Sequence, residues 1–350
     1  MVGKLGVAVI GAGYWGPNLV RNVALNSETE LRWVCDLDAA KAERLADTYS
    51  GAGATSDLRR LLDDPAVHAV AIATPAWTHA GVAIDAMRAG KHVLIEKPLA
   101  PSVAEAERVI SVAKETDRVV MCDHTYCYTP AVQHIAGMLR DGALGELYYI
   151  DSIRINLGLV QPDVDVMWDL APHDLSIIDH VLPEGVHVQT VAAHGADPIG
   201  AGHACVAYLL LGLSNGAIAH VHVNWLSPTK VRTMTIGGSA GTVVWDDLSP
   251  TQRISVYDRG IDLAAAGDDE VRHRNQVAYR IGDMVAPALP DREALSSVIT
   301  EWVSAIRGNR EPITGASSGL RVLGILEAAA TSLADNGRTV HLPAALAEVA

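Results

Sequence analysis

Over the first 120 positions, apolar residues come in short runs rich in Val and Ile, separated by amphipathic stretches. GVAVIG, ELRWVCD, AVAIATP, HVLIEKP and RVVMCD read as strands. Pro17 to Leu25, Ala39 to Tyr49, Asp57 to Asp63, Trp77 to Ala89 and Val103 to Thr116 read as helices. Near-continuous apolar strands alternating with helices predict a parallel sheet covered on both faces. Asp64-Pro65 closes one helix, and Gly90 caps another.

After Cys122 the pattern changes. Pro130 to Asp141 reads as a helix ending at Gly142. From Glu146 the runs lengthen and alternate: ELYYIDSIRINLGL, VQTVAAHG, HACVAYLLLGL, AIAHVHVNWLSP, KVRTMTIGGSAGTVVWDD and RISVYDRG. Alternation with Gly, Asn and Asp at the turns predicts antiparallel strands. A short helix is expected over Pro172 to Leu182, and two more over Asp291 to Ile306 and Ser317 to Leu333. An irregular loop is expected over Gly260 to Gln276. The reading is two domains: residues 1–122, α/β with a doubly wound parallel sheet, and 123–350, α+β with an open, mainly antiparallel sheet.

The first strand runs into GAGYWG, which places Gly11, Gly13 and Gly16 at G-x-G-x-x-G spacing. Such glycines allow a tight turn, a bare approach for a pyrophosphate and close packing of helix on strand. Phosphates would rest on the N–H groups opening the helix near Pro17. The second strand ends in Asp36, 20 residues after Gly16, where a carboxylate can accept from both ribose hydroxyls of an adenosine. Leu37 and Asp38 follow, with no cation to meet a 2′-phosphate. The expected fold is a Rossmann domain, and the expected cofactor is NAD rather than NADP.

Composition narrows the class. The chain has 350 residues, 49% hydrophobic and 19% charged, as in a globular protein with room for two cores. No run of 18 apolar residues exists, so no membrane span is expected. MVGKLGVAVIG leaves no room for a signal peptide before the first strand, and a cytoplasmic location is the expectation. Cys35, Cys122, Cys127 and Cys205 are scattered and read as buried small hydrophobes. A net charge of −14 argues against a nucleic-acid partner.

The fourth long strand ends in Glu96-Lys97-Pro98, at the edge where open α/β sheets bind ligands. Pro98 fixes the chain beside Lys97. GAGYWGPN, ATPAWTH, AMRAGKHVLIEKPLA and WDLAPHDLSI, in that order, resemble the glucose–fructose oxidoreductase/inositol dehydrogenase/MocA (Gfo/Idh/MocA) family across nearly the whole chain. The chain departs from that family's pattern at Ala171, where a glycine is usual, and at Ser176, where an Asp is frequent.

The resemblance implies hydride transfer between nicotinamide and a carbinol carbon, with Lys97, Asp169 and His173 as the catalytic set. Lys97 would donate to the reacting oxygen and His173 would take the hydroxyl proton. Pro172 reads as the first helical position, so that the helix dipole at the first turn would keep His173 neutral. Asp169 would fix its tautomer. The cofactor set is Gly11, Gly13, Tyr14, Trp15, Gly16, Asp36, Thr74, Pro75, His79, Glu96 and Lys97. Substrate contacts are expected from Lys97, Tyr126, Arg154, Asn156 and His173, with His124, His222, Asn224, Trp225, Lys230 and Arg232 as further candidates. Alternation puts His220, His222 and Asn224 on one sheet face and Val221, Val223 and Trp225 on the other.

The substrate class implied is a cyclic polyol: a sugar nucleotide, perhaps at C3, or a cyclitol or aminocyclitol. Two alternatives are an NAD-recycling glycoside hydrolase and a non-catalytic dinucleotide sensor. No metal is expected, because hydride transfer needs none. The resemblance also implies a homodimer or homotetramer through the open sheet face.

Overall fold

The strands expected in the first third all form, and their order explains the edge they share. The computed structural model describes residues 3–262 and 278–347. β1 (Leu5–Ile10), β2 (Thr29–Cys35), β3 (Gly53–Thr55), β4 (Ala69–Ile72), β5 (His92–Glu96) and β6 (Val120–Asp123) make a parallel sheet in the order β3-β2-β1-β4-β5-β6. This is the doubly wound arrangement, with its switch point between β1 and β4. β3 was not foreseen, since three residues show no periodicity. Helices α1 (Gly16–Leu25), α2 (Ala39–Ala46), α3 (Leu58–Leu62), α4 (His79–Arg88) and α5 (Val103–Thr116) connect the strands. Their starts follow local chemistry: Asp38 accepts from Ala40 N and Lys41 N, Asp57 from Arg59 N, and Ser102 from Glu105 N.

The chain divides into two compact units, and the division departs from a single cut at residue 122. Among the described residues, one unit holds 3–129 and 292–327; the other holds 130–262, 278–291 and 328–347. The return of 292–327 to the first unit has a packing cause. Helix Ala294–Gly308 buries Leu295, Val298, Ile299, Trp302 and Val303 in the same core as Val7, Leu19, Val23 and Met121. Beside it, Glu293 accepts two hydrogen bonds from Arg21, at 2.6 and 2.9 Å.

In the second unit, α6 (Pro130–Arg140) and α7 (Val166–Val181) accompany a sheet of nine strands among the described residues. These are β7 (Leu147–Leu157), β8 (Val188–Ala196), β9 (Val206–Leu213), β10 (Ile218–Asn224), β11 (Leu226–Gly238), β12 (Thr242–Asp246), β13 (Ile254–Asp262), β14 (Ala278–Val285) and β15 (Val340–His341). The sheet is antiparallel except for the β7–β10 pair. Val221, Val223 and Trp225 are buried, while Ile218, His220, His222 and Asn224 lie on the more open face, as alternation requires. Of the loop expected over Gly260 to Gln276, Gly260–Asp262 close β13 and the rest lies outside the described residues. The four cysteines are buried and free, and burial pushes the Cys35 thiol up to about 11.

α7 corrects the expected helix start. It begins six residues earlier than Pro172, because Asp165 caps it by accepting from Trp168 N at 2.9 Å. Pro172 sits inside the helix, where it lacks the N–H that would reach the Trp168 carbonyl. His173 therefore lies in mid-helix, and the first-turn dipole argument for its neutrality does not apply. Asp174, the next residue, turns into the core. It receives Arg154 Nε at 2.6 Å, Arg154 Nη2 at 3.1 Å and Ser152 Oγ at 2.9 Å, all buried.

Arg154→Leu leaves the Asp174 carboxylate buried without its cation. Urea unfolding is expected to show a loss of about 3–5 kcal/mol, the scale for breaking one side of a buried pair. A loss below about 1 kcal/mol would show that the pair does not hold α7 to β7.

Candidate active site

The glycine turn separates two duties that the motif combines. Gly11 has φ +102°, and a Cβ there would stand 2.5 Å from the Ala73 carbonyl oxygen. A Cβ on Gly16 would stand 2.0 Å from the Gly11 carbonyl oxygen. Both glycines permit close backbone packing. A Cβ on Gly13 would meet nothing within 4 Å, so this position faces open space. The start of α1 carries no side-chain cap; Pro17 has no N–H to offer and Asn18 N donates to the Trp15 carbonyl at 2.9 Å, so an anion there would meet the backbone of the glycine turn itself. Asp36 closes the turn: its carboxylate accepts from Ala12 N at 2.7 Å and Asp38 N at 2.9 Å. Tyr14 and Leu37 are almost fully exposed beside it. Open backbone at Gly13 and a fixed carboxylate 20 residues beyond Gly16 fit a dinucleotide.

Further along the same edge, the ends of β4, β5 and β6 are tied together. Thr74 Oγ1 accepts from Thr78 Oγ1 at 2.6 Å, while Pro75 is exposed. His79 does not offer its ring to a cofactor. It is 1% exposed, and its nitrogens lie 2.7 Å from the Pro98 carbonyl and 2.8 Å from the Thr74 carbonyl. The opening of α4 buries it, so it clamps the Ala73-Thr74-Pro75 turn against the Lys97–Pro98 segment. Burial pushes this imidazole below its usual range, partly opposed by the two carbonyls. Lys97 is partly exposed, and its peptide bond to Pro98 is cis.

Sequence reading missed Asp123. It ends β6 directly opposite Glu96 on β5 and is 2% exposed. Asp123 accepts from Trp15 Nε1 at 3.2 Å and from Thr125 Oγ1 at 2.7 Å. Trp15, expected to touch cofactor, thus also staples the glycine turn to the far strands. Burial, reinforced by the charge of Asp123, holds the Glu96 carboxyl well above the ordinary carboxylate range. The only signal in the sequence was an acid ending a strand, as Asp36 does.

In the second unit, Asp169 and His173 stand four residues apart on α7, on one face, and both are partly exposed. Trp225 Nε1 donates to Asp169 Oδ2 at 3.0 Å. Trp225 is 1% exposed, so it holds the carboxylate from behind rather than meeting substrate. His203 packs edge-on against the same indole, its ring centroid 5.9 Å away. Asn156 is partly exposed near the end of β7, where Gly158 brings the backbone against Asn156 and Trp225. Arg154, expected at the substrate, is committed to Asp174 and is 2% exposed. Arg232 lies 3.5 Å from Asp247, and Lys230 is exposed. Tyr126, in the first unit, is half-buried in a 3₁₀ turn just after β6, and His124 is buried.

The two glycine duties are separable by mutation. Gly11→Ala is expected to destabilise the fold by about 1–3 kcal/mol in chemical unfolding, the range for a residue forced into a disfavoured backbone region. Gly13→Ala is expected to stay within about 0.5 kcal/mol of the parent, yet to weaken dinucleotide binding by calorimetry. Unchanged affinity in Gly13→Ala would move the phosphates off this turn.

Comparison with known proteins identifies the family and the fold. Residues 5–124 match the family model for an oxidoreductase family with an NAD-binding Rossmann fold, and 132–244 match the GFO/IDH/MocA C-terminal domain. A UDP-N-acetylglucosamine 3-dehydrogenase from Acidithiobacillus ferrooxidans is 30% identical over 318 residues, covering 90% of this chain and 93% of that one. Its solved structure superposes with a TM-score of 0.80 at 28% identity, over 95% of this chain and 98% of that chain. An inositol 2-dehydrogenase of Saccharopolyspora erythraea is 28% identical over 285 residues, 79% of this chain and 82% of that one. GenD2 from gentamicin A biosynthesis, solved in complex with NAD, gives a TM-score of 0.80 at 26% identity, over 98% of this chain and 97% of that chain. With both halves matched and a relative aligned along most of its length, this chain belongs to the Gfo/Idh/MocA family of NAD-binding oxidoreductases.

Proposed function

We propose that this oxidoreductase interconverts a secondary alcohol and a ketone on a cyclic polyol, with NAD as cofactor. The observation that carries the reading is α7: it places Asp169 and His173, both partly exposed, on one face, and a buried indole fixes the carboxylate. A fixed acid beside an imidazole suits the transfer of one hydroxyl proton. Bound NAD supplies the hydride acceptor. The chain's own residues do the rest. The glycine turn around Gly13 takes the phosphates, and Asp36 takes the adenosine ribose. Exposed Leu37 and the cap residue Asp38 offer a 2′-phosphate no cation, which supports NAD over NADP. Lys97 donates to the reacting oxygen, and His173 receives the proton, with Asp169 holding its ring.

Two substrate groups have support. The UDP-N-acetylglucosamine 3-dehydrogenase relative favours a sugar nucleotide. The engagement of Arg154 by Asp174 removes one cation that a diphosphate would need, and favours a free cyclitol or amino sugar. We also infer a homo-oligomer built on the open face of the nine-stranded sheet. Tyr208, Leu210 and Ile218 are 46%, 48% and 51% exposed there, and Tyr208 stacks on His222 at 4.3 Å. Light scattering is expected to give at least a dimer mass, and a monomer would remove that assignment.

A panel of sugar nucleotides, cyclitols and amino sugars, each offered with NAD or NADP, is expected to yield absorbance at 340 nm with NAD and one substrate group. Equal rates with NADP would contradict the Asp36 assignment. Sugar release without reduced cofactor would point to hydrolysis instead. Lys97→Ala is expected to abolish turnover while keeping NAD affinity within about tenfold, because Lys97 acts on the reacting oxygen. Full activity in that variant would overturn its role.

A further inference from the structure

Glu96 and Asp123 occupy paired positions at the carboxyl ends of β5 and β6, and the redox assignment alone leaves their pairing unexplained. Asp123 is buried, and Glu96, partly exposed as a residue, buries its Oε2. Two carboxylates side by side in such a setting do not both ionise. Their surroundings decide which keeps the charge. Asp123 has two donors, the Trp15 indole and the Thr125 hydroxyl. Glu96 Oε2 is buried with no hydrogen-bond partner. Burial raises both carboxyl groups, Glu96 further than Asp123, so Asp123 with its two donors keeps the charge and Glu96 is the protonated member. The charged neighbour is Lys97, next in the chain, while burial keeps the adjoining Cys122 a neutral thiol.

The position gives this single charge a use. In a doubly wound sheet, each half serves one nucleotide, and the half containing β4, β5 and β6 takes the second. With the adenosine at Asp36, that second nucleotide is the nicotinamide. Its ring is cationic when oxidised and neutral when reduced.

We propose that Glu96 and Asp123 act as one monoanionic pair at the nicotinamide end of the cofactor site, favouring the oxidised ring over the reduced one. The proposal rests on the NAD reading above. It adds Asp123 as a residue that sets the balance between the two cofactor forms, and gives Glu96 a duty as a neutral acid.

Calorimetry with NAD and NADH, on the parent, Glu96→Gln and the double variant Glu96→Gln/Asp123→Asn, tests it. Glu96→Gln keeps a neutral group beside a charged Asp123, so the ratio of the two dissociation constants is expected to stay within about twofold of the parent. The double variant loses the charge, and NAD is expected to weaken relative to NADH by about tenfold, the scale of one unit charge acting at short range in a partly buried site. An unchanged ratio in the double variant would overturn the proposal. An equal shift in Glu96→Gln would place the charge on Glu96 and also overturn it. Parent protein that binds neither dinucleotide would overturn the cofactor reading and the pair's role together. Infrared difference spectroscopy of parent against Glu96→Gln gives a second measure that does not need the double variant to fold. A protonated-carboxyl band at neutral pH, lost in Glu96→Gln, is expected, and its absence from the parent would overturn the monoanion.

Discussion

Backbone passing close to backbone at one turn organises the functional edge of the first unit. Gly11 brings the end of β1 so near Ala73 that any side chain would collide with the carbonyl there. From this turn three connections spread across the sheet. Ala12 N holds Asp36 at the end of β2, the Trp15 indole holds Asp123 at the end of β6, and the packed Gly11–Ala73 pair joins β1 to β4. A stretch of five residues thus fixes acids on both sides of the switch point. A dinucleotide lying across that edge would find its ribose partner and its nicotinamide surroundings already placed, so little ordering remains to oppose binding.

The second unit solves a different problem. The side chains proposed for proton transfer there lie on one helix, and α7 is held by interactions from the sheet beneath it. Trp225 reaches up to Asp169, and Arg154 and Ser152 engage Asp174. Asp169 and His173 stay on the open side while Asp174 turns to the core. Two acids five residues apart on the same helix thus face opposite ways, Asp174 into the core and Asp169 toward the open side. Burying an ion pair is costly unless hydrogen bonds complete it, and Asp174 accepts three.

Much of this was legible along the chain, for physical reasons. Parallel strands buried on both faces must be apolar throughout, so β1, β2, β4, β5 and β6 stood out, and α5 has the predicted bounds, Val103–Thr116. Glycine spacing and Asp36 marked the nucleotide edge because close approach leaves no choice of residue. What escaped depended on partners distant in sequence. Arg154 reads as a substrate contact along the chain, but its partner is Asp174, 20 residues away. Pro172 looked like a helix start, but the cap at Asp165 lay upstream. His79 carried a family-like position yet turned inward. Asp123 lies 108 residues from Trp15, and no local pattern links the two.

The central claim is that a dinucleotide lies along the edge defined by Gly13, Asp36 and the Glu96–Asp123 pair. Crystals grown with NAD test it most directly. The account predicts ribose hydroxyls on the Asp36 carboxylate, pyrophosphate over Gly13 and the nicotinamide ring over the ends of β5 and β6. A dinucleotide bound in the reverse sense, or on another surface with Gly13 left bare, would contradict it.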